Sequence, residues 1–167
     1  KMAEEAIALD PEYPRPYVVL GWARYLEIFY RTSKSPKQSV ASAIELAQKA
    51  LEIDFYYAGA HSLLCHIYGS RRQYEKAIAE GERAVAIDPN FANGYSLLGR
   101  SLHFAGKNEE SIKLFRKAIR LNPFPPSFYY YQLGQSYIMM GKYVEAITEI
   151  KKAVKLEPNS LIAFISL

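Results

Sequence analysis

The sequence predicts an all-α fold, an α-solenoid of antiparallel helix hairpins stacked in a row. Two repeated patterns and the punctuation between them predict it. The segment Ala84-Val85-Ala86-Ile87-Asp88-Pro89 recurs as Ala118-Ile119-Arg120-Leu121-Asn122-Pro123 and as Ala153-Val154-Lys155-Leu156-Glu157-Pro158, at spacings of 34 and then 35 residues. Earlier forms are Ala6-Ile7-Ala8-Leu9-Asp10-Pro11 and Ala50-Leu51-Glu52-Ile53-Asp54-Phe55. The second pattern is Leu64-Cys65, Leu98-Gly99 and Leu133-Gly134, followed one turn on by Tyr68, Leu102 and Tyr137.

Each Ala-to-Pro marker is a helix ending, because proline lacks an amide donor and biases the residue before it away from helical geometry. The small residue of the second pattern lets two helices approach closely. A break follows at Gly69-Ser70-Arg71-Arg72, Ala105-Gly106-Lys107-Asn108 and Met140-Gly141-Lys142. An amphipathic second helix then carries Tyr74, Ala77, Ile78, Gly81 and Ala84 in one unit and Tyr143, Ala146, Ile147, Ile150 and Ala153 in another, the mixed three and four spacing of a buried stripe.

These residues resemble the tetratricopeptide repeat family, whose pattern runs aromatic, Leu-Gly, Tyr, a small residue, an aromatic, Ala and a closing Pro. The resemblance implies a superhelix of hairpins over a single array at 1–167, with complete repeats at 58–91, 92–126 and 127–160. Cys65 stands for Gly, Phe55 for the closing Pro and Gly81 for a bulky residue. The repeat at 14–57 is longer, since Ala6 and Ala50 lie 44 residues apart. Its first helix is expected over Tyr17 to Tyr30 and a polar loop over Arg31 to Lys34. Ser35 is expected to cap the next helix, with Pro36 in its first turn and Gln38 closing a capping box. Residues 1–13 read as the second helix of an incomplete repeat and 161–167 as the start of a further one, so the chain reads as a piece of a longer array.

Composition narrows the function classes. The chain is 50% apolar and 23% charged, enough for one soluble folded unit. Its formal charge of +4, from 21 basic and 17 acidic residues, is scattered. Its densest basic stretch, Lys113, Arg116, Lys117 and Arg120, has the spacing of one exposed helix flank, so no nucleic-acid partner is expected. The lone Cys65 forms no intrachain disulfide, and no apolar run reaches the roughly 18 residues of a membrane span. A cytoplasmic location is expected. His61 and Cys65, four apart, look like two metal ligands, but both fall at packing positions and no carboxylate completes the set; no metal, cofactor or catalytic residue is expected. There is no phosphate loop or nucleophile at motif spacing, and Glu75, Glu109 and Glu110 read as solvated charge.

In this family the first helix of each pair lines a concave groove. Carried over residue by residue, the resemblance assigns the groove floor to Val18, Trp22 and Tyr25 in the long repeat, Ser62 and His66 in the next, Asn93, Ser96, Arg100 and His103 in the third, and Phe128, Tyr131 and Gln135 in the fourth. The floor is aromatic at both ends, with a polar and potentially cationic middle. Trp22 and Tyr131 are read equally as groove contacts or packing residues, and Tyr130 as core. Members that grip a C-terminal carboxylate use Lys and Asn where this chain has Val18, Trp22, Ser62 and His66, so a protein or peptide ligand with apolar anchors is expected instead.

The Asn122-Pro123-Phe124-Pro125-Pro126 junction and the long repeat are similar to arrays attached to bacterial nucleotide cyclases and multidomain regulators, which implies a docking or regulatory role in a larger protein. Two alternatives stand beside it. An RNA-binding helical-repeat protein is suggested by the 35-residue unit, although Val18, Ser62, Ser96 and Tyr131 form no regular base-reading code. Self-association as a homo-oligomer is suggested by the incomplete terminal repeats.

Overall fold

The computed structural model describes residues 2–159, and among these the chain forms nine helices. They are α1 (Met2–Leu9), α2 (Pro14–Phe29), α3 (Pro36–Ile53), α4 (Ala58–Ser70), α5 (Tyr74–Ile87), α6 (Ala92–Phe104), α7 (Asn108–Leu121), α8 (Ser127–Met139) and α9 (Tyr143–Leu156). Successive helices pair as hairpins, α2 with α3, α4 with α5, α6 with α7 and α8 with α9. The chain divides after Pro89 into two compact units, α1 to α5 and α6 to α9. In the first, α4 also packs on α2 and α3; in the second, α8 packs on α7 and α6. Among the described residues no helix is long and apolar enough to cross a membrane.

Every first helix ends the same way. Arg31, Arg72, Gly106 and Gly141 all have positive φ, at 54, 60, 81 and 70°. The residue after each donates its N–H five residues back: Thr32 to Glu27 O, Gln73 to Tyr68 O, Lys107 to Leu102 O and Lys142 to Tyr137 O, at 2.9 to 3.0 Å. The left-handed residue itself bonds three back, to Ile28, Gly69, His103 and Ile138. This is the Schellman ending, which satisfies the last carbonyls of the helix and turns the chain sharply into the next one. Two of the four positions lack glycine.

Second helices end on the repeated alanine. The N–H groups of Asp10, Asp54, Asp88, Asn122 and Glu157 bond to the carbonyls of Ala6, Ala50, Ala84, Ala118 and Ala153. The carboxylates of Asp10 and Asp54 and the amide oxygen of Asn122 then accept the N–H two residues on. That Asx turn explains Asp or Asn before the turn better than proline alone does, and it forms at Asp54 although Phe55 replaces proline.

Close approach sets the hairpin packing. A Cβ on Gly134 would lie 2.6 Å from Ile150 Cγ1 and 3.2 Å from the Ala146 carbonyl; on Gly99 it would lie 3.3 Å from the Phe115 ring. The long repeat has a small residue at the matching place, Leu20-Gly21, where a Cβ would lie 3.4 Å from the Ala43 carbonyl of the paired helix and 2.6 Å from Leu63 Cδ2 of α4. Opposite these positions Ala43, Ala47, Ala50, Ala77, Ala84, Ala118 and Ala153 are fully buried. Leu63 and Phe115, also at 0% exposure, each contribute about 2–3 kcal/mol by leaving water.

The structure corrects three expectations. Ser35 makes no side-chain cap; the Ser33 hydroxyl accepts the Ser35 N–H at 3.2 Å, and Ser33, Ser39 and Glu27 form a chain of hydrogen bonds tying the end of α2 to the start of α3. The buried tyrosine of α8 is Tyr129 at 2% exposure, while Tyr130 is half-buried beneath Lys152 Nζ. On α9 the stripe is buried only at Ala146 and Ala153, whereas Tyr143 and Ile147 are 63 and 53% exposed. The further first helix expected at 161–167 lies outside the described residues.

Candidate interaction surfaces

In the first unit, α2 and α4 bring three predicted groove residues together. The His66 imidazole sits between Trp22 and Tyr25, with ring centroids 4.9 and 4.8 Å away and the rings edge to face at 63 and 88°. All three are half-buried, so the cluster is both packed and accessible. It arises because Trp22 and Tyr25 lie one turn apart on α2, facing the helix that carries His66.

Val18 and Ser62 lie beneath this surface, at 5 and 2% exposure. Ser62 Oγ donates back to the Gly59 carbonyl at 2.8 Å. Neither contributes accessible floor. The reason is depth: a position that faces the neighbouring first helix is covered by it when the side chain is short.

His61 and Cys65 are at 1 and 0% exposure. His61 Nδ1 lies 2.6 Å from Glu80 Oε2 and Nε2 lies 3.1 Å from the Phe55 carbonyl, so acceptors occupy both ring nitrogens. Arg83 holds the other Glu80 oxygen at 2.5 Å. The ring thus ties the start of α4 to α5 and to the turn before it.

In the second unit, Asn93, Arg100 and His103 are part-exposed on α6, and Tyr131 and Gln135 part-exposed on α8, with Phe128 39% exposed at its start. Ser96 is buried at 1% and takes no part in the accessible face. The polar chemistry centres on His103. Its Nδ1 lies 2.9 Å from Asn108 Oδ1 and 3.2 Å from Ser136 Oγ on α8. Asn108 Nδ2 donates to the Gly106 carbonyl, Ser136 Oγ donates to the Gln132 carbonyl, and Ser111 Oγ lies 3.0 Å from Ser136 Oγ. Burial lowers the imidazole pKa below the ordinary 6.5, against the opposing pull of the Asn108 hydrogen bond. His103 is therefore neutral at pH 7, and the expected cationic middle reduces to Arg100.

A serine, a histidine and an asparagine in contact resemble a nucleophilic relay. Two facts oppose it: Ser136 is fully buried, and Asn108 and Ser136 address the same ring nitrogen instead of opposite ones. The sequence reading missed Asn108, Ser111 and Ser136. The available signal was Gly106, whose turn returns the chain alongside the helix end it has just left.

The basic flank of α7 is partly spent on tyrosines. Lys117 Nζ donates to Tyr95 OH at 2.6 Å, and Arg116 lies 5.7 Å from the Tyr137 ring centroid.

Residues 92–125 and 127–160 each match a family model described as tetratricopeptide repeat. Small glutamine-rich tetratricopeptide repeat-containing protein 2 of Saccharomyces cerevisiae is 36% identical over 67 residues, 38% of this chain and 17% of its own length. Anaphase-promoting complex subunit 3 of Schizosaccharomyces pombe is 32% identical over 77 residues, 46% of this chain and 12% of its own. The chain thus spans less than a fifth of either relative. Among solved structures, the tetratricopeptide protein TTC0263 of Thermus thermophilus aligns with a TM-score of 0.76 at 18% identity, covering 98% of this chain and 84% of that one, a likeness of fold.

Proposed function

Because this chain belongs to the tetratricopeptide-repeat family, we propose that it is a protein-docking module that holds an extended peptide or protein segment against the first helices of its hairpins. The observation that carries this reading is the half-exposed cluster of Trp22, Tyr25 and His66, an aromatic surface held rigid by edge-to-face packing. Rigid aromatics give contact area at little cost in side-chain entropy, which is why such residues anchor interfaces. Phe128, Tyr131, Gln135 and Arg100 supply a second, more polar surface suited to a ligand of mixed character. One relative is by its name a subunit of a multiprotein complex, which supports a scaffold role within a larger protein.

Trp22 is the only tryptophan, so its fluorescence reports directly on the first unit. A synthetic array of short peptides with apolar anchors is expected to yield binders that shift this emission. The variant Trp22→Ala, Tyr131→Ala, Arg100→Ala should keep its helical circular dichroism and, by the anisotropy of a dye-labelled peptide since it lacks the tryptophan, bind those peptides more than about tenfold more weakly. Unchanged affinity in the folded variant places the docking surface elsewhere.

A further inference from the structure

Resting on the docking function above, we propose that α2 is a ledge for a proline-rich segment in the polyproline II conformation, its prolines seated on Trp22, Tyr25 and Phe29.

The ledge follows from spacing along one helix. Trp22, Tyr25 and Phe29 stand at i, i+3 and i+7 of α2 and so share one face. Trp22 and Tyr25 are held in place, because both pack against the core of the first unit and edge to face on the same His66 ring. Phe29 extends the row into solvent at 77% exposure, edge to face with Tyr30 at a centroid distance of 5.4 Å. Between Trp22 and Phe29 the charged residues are Arg24 and Glu27, which lie off this stripe and pair with each other at 2.9 Å. The ledge is therefore neutral and suits an uncharged ligand. Seven residues of α-helix rise about 10.5 Å. Three residues of polyproline II rise about 9.3 Å, so prolines three apart meet Trp22 and Phe29, with Tyr25 between them.

Hydrogen bonding selects the conformation of the ligand. Among the described residues neither Trp22 Nε1 nor the Tyr25 hydroxyl is bonded, and no buried side-chain nitrogen or oxygen lacks a partner, so both groups meet solvent. The indole N–H only donates, and the phenol has a proton to give. An α-helical ligand would use its carbonyls within itself, and a β-type segment would bring as many N–H groups as carbonyls. A polyproline II helix has no internal hydrogen bonds, and its prolines have no N–H. It presents bare carbonyls to a surface whose open polar groups are donors, and it is stiff before it binds.

Trp22 is the only tryptophan, so one indole N–H resonance reports on the ledge. The probe is oligoproline of about eight residues, which spans about 25 Å. Titrated into the whole chain, it should move that resonance downfield to saturation, whereas an alanine-based helical peptide and an alternating valine–lysine peptide of equal length should not. By the anisotropy of dye-labelled oligoproline, Phe29→Ala and Trp22→Phe should each bind at least about fivefold more weakly at unchanged circular dichroism. The first removes an exposed ring, and the second keeps a ring but loses the donor. Phe124→Ala, an exposed aromatic of the second unit, should bind as the wild type does. An unmoved indole resonance, an equal shift with either control peptide, or full affinity in either ledge variant overturns the polyproline assignment, and docking stands if peptides of the array still bind. If neither oligoproline nor any array peptide binds the wild type, the docking reading falls with it.

Discussion

Four residues decide how each hairpin turns, and two of them are the wrong amino acid for the job. A residue with a Cβ in the left-handed region costs about 1–2 kcal/mol, and Arg31 and Arg72 bear it where Gly106 and Gly141 do not. Nothing lies within 4 Å of a Cβ placed on Gly106, so substitution there is a pure backbone experiment. Gly106→Ala should destabilise by about 1 kcal/mol in urea unfolding, with an unchanged slope. Arg72→Gly should do the reverse: relief of the left-handed cost exceeds the added entropy of the unfolded chain and leaves a gain of up to about 1 kcal/mol. Destabilisation by Arg72→Gly would mean that its side chain makes contacts worth more than the strain.

Helix pairs show the same logic in packing, and here legibility from sequence divides cleanly. A glycine replaced by alanine inside a helix gains about 1 kcal/mol of propensity, set against whatever the new methyl meets. At Gly99 it meets the Phe115 ring at 3.3 Å, a contact that a small shift relieves, so Gly99→Ala should fall within about 1 kcal/mol of neutral. At Gly134 it meets Ile150 Cγ1 at 2.6 Å and a backbone oxygen at 3.2 Å, neither of which can swing away. Gly134→Ala should cost about 1–3 kcal/mol, read from the same unfolding curves, and equal behaviour at the two sites would show that the hairpins are looser than this packing. Both glycines were legible because a recurring Leu-Gly pair announces them. Leu20-Gly21 escaped notice because the ten-residue excess of the long repeat breaks the period that would have aligned it. Ser33 was hidden for a different reason: two serines, Ser33 and Ser35, precede α3, and which of them works as an acceptor there depends on the path of the preceding loop. The candidate surface was legible at its large residues and not at its small ones. Trp22, Tyr25 and His66 are too bulky to be covered completely, whereas Val18, Ser62 and Ser96 vanish beneath their neighbours. The tie between His103 and Asn108 needs the three-dimensional turn at Gly106, and no pattern along one helix can supply it.

At the scale of the whole chain there are two compact units of paired helices and no single centre. Within each unit a hairpin buries its faces against its neighbour, so local stability follows the number of flanks a helix has covered. The helices differ sharply in this respect. Among the described residues α4 buries seven of its 13 residues and α6 buries eight of 13. By contrast α1 buries none, and α9 buries only Ala146 and Ala153. Amide exchange follows the free energy of local opening, which tracks buried apolar contact. Native-state hydrogen exchange by mass spectrometry should therefore rank α4 and α6 as the slowest segments and α1 and α9 as the fastest, with the difference persisting at pH values where the intrinsic exchange rate changes uniformly. The ranking also bears on docking. A ligand held on α2 and α4 covers Trp22, Tyr25 and His66 and should slow exchange in α2 by mass action on its closed form, leaving α9 unaffected. Uniform exchange along the chain would show one cooperative unit instead of a series of hairpins. Protection confined to α9 on adding an array-selected peptide would move the docking surface from the first helices to the exposed face of Tyr143, Val144 and Ile147.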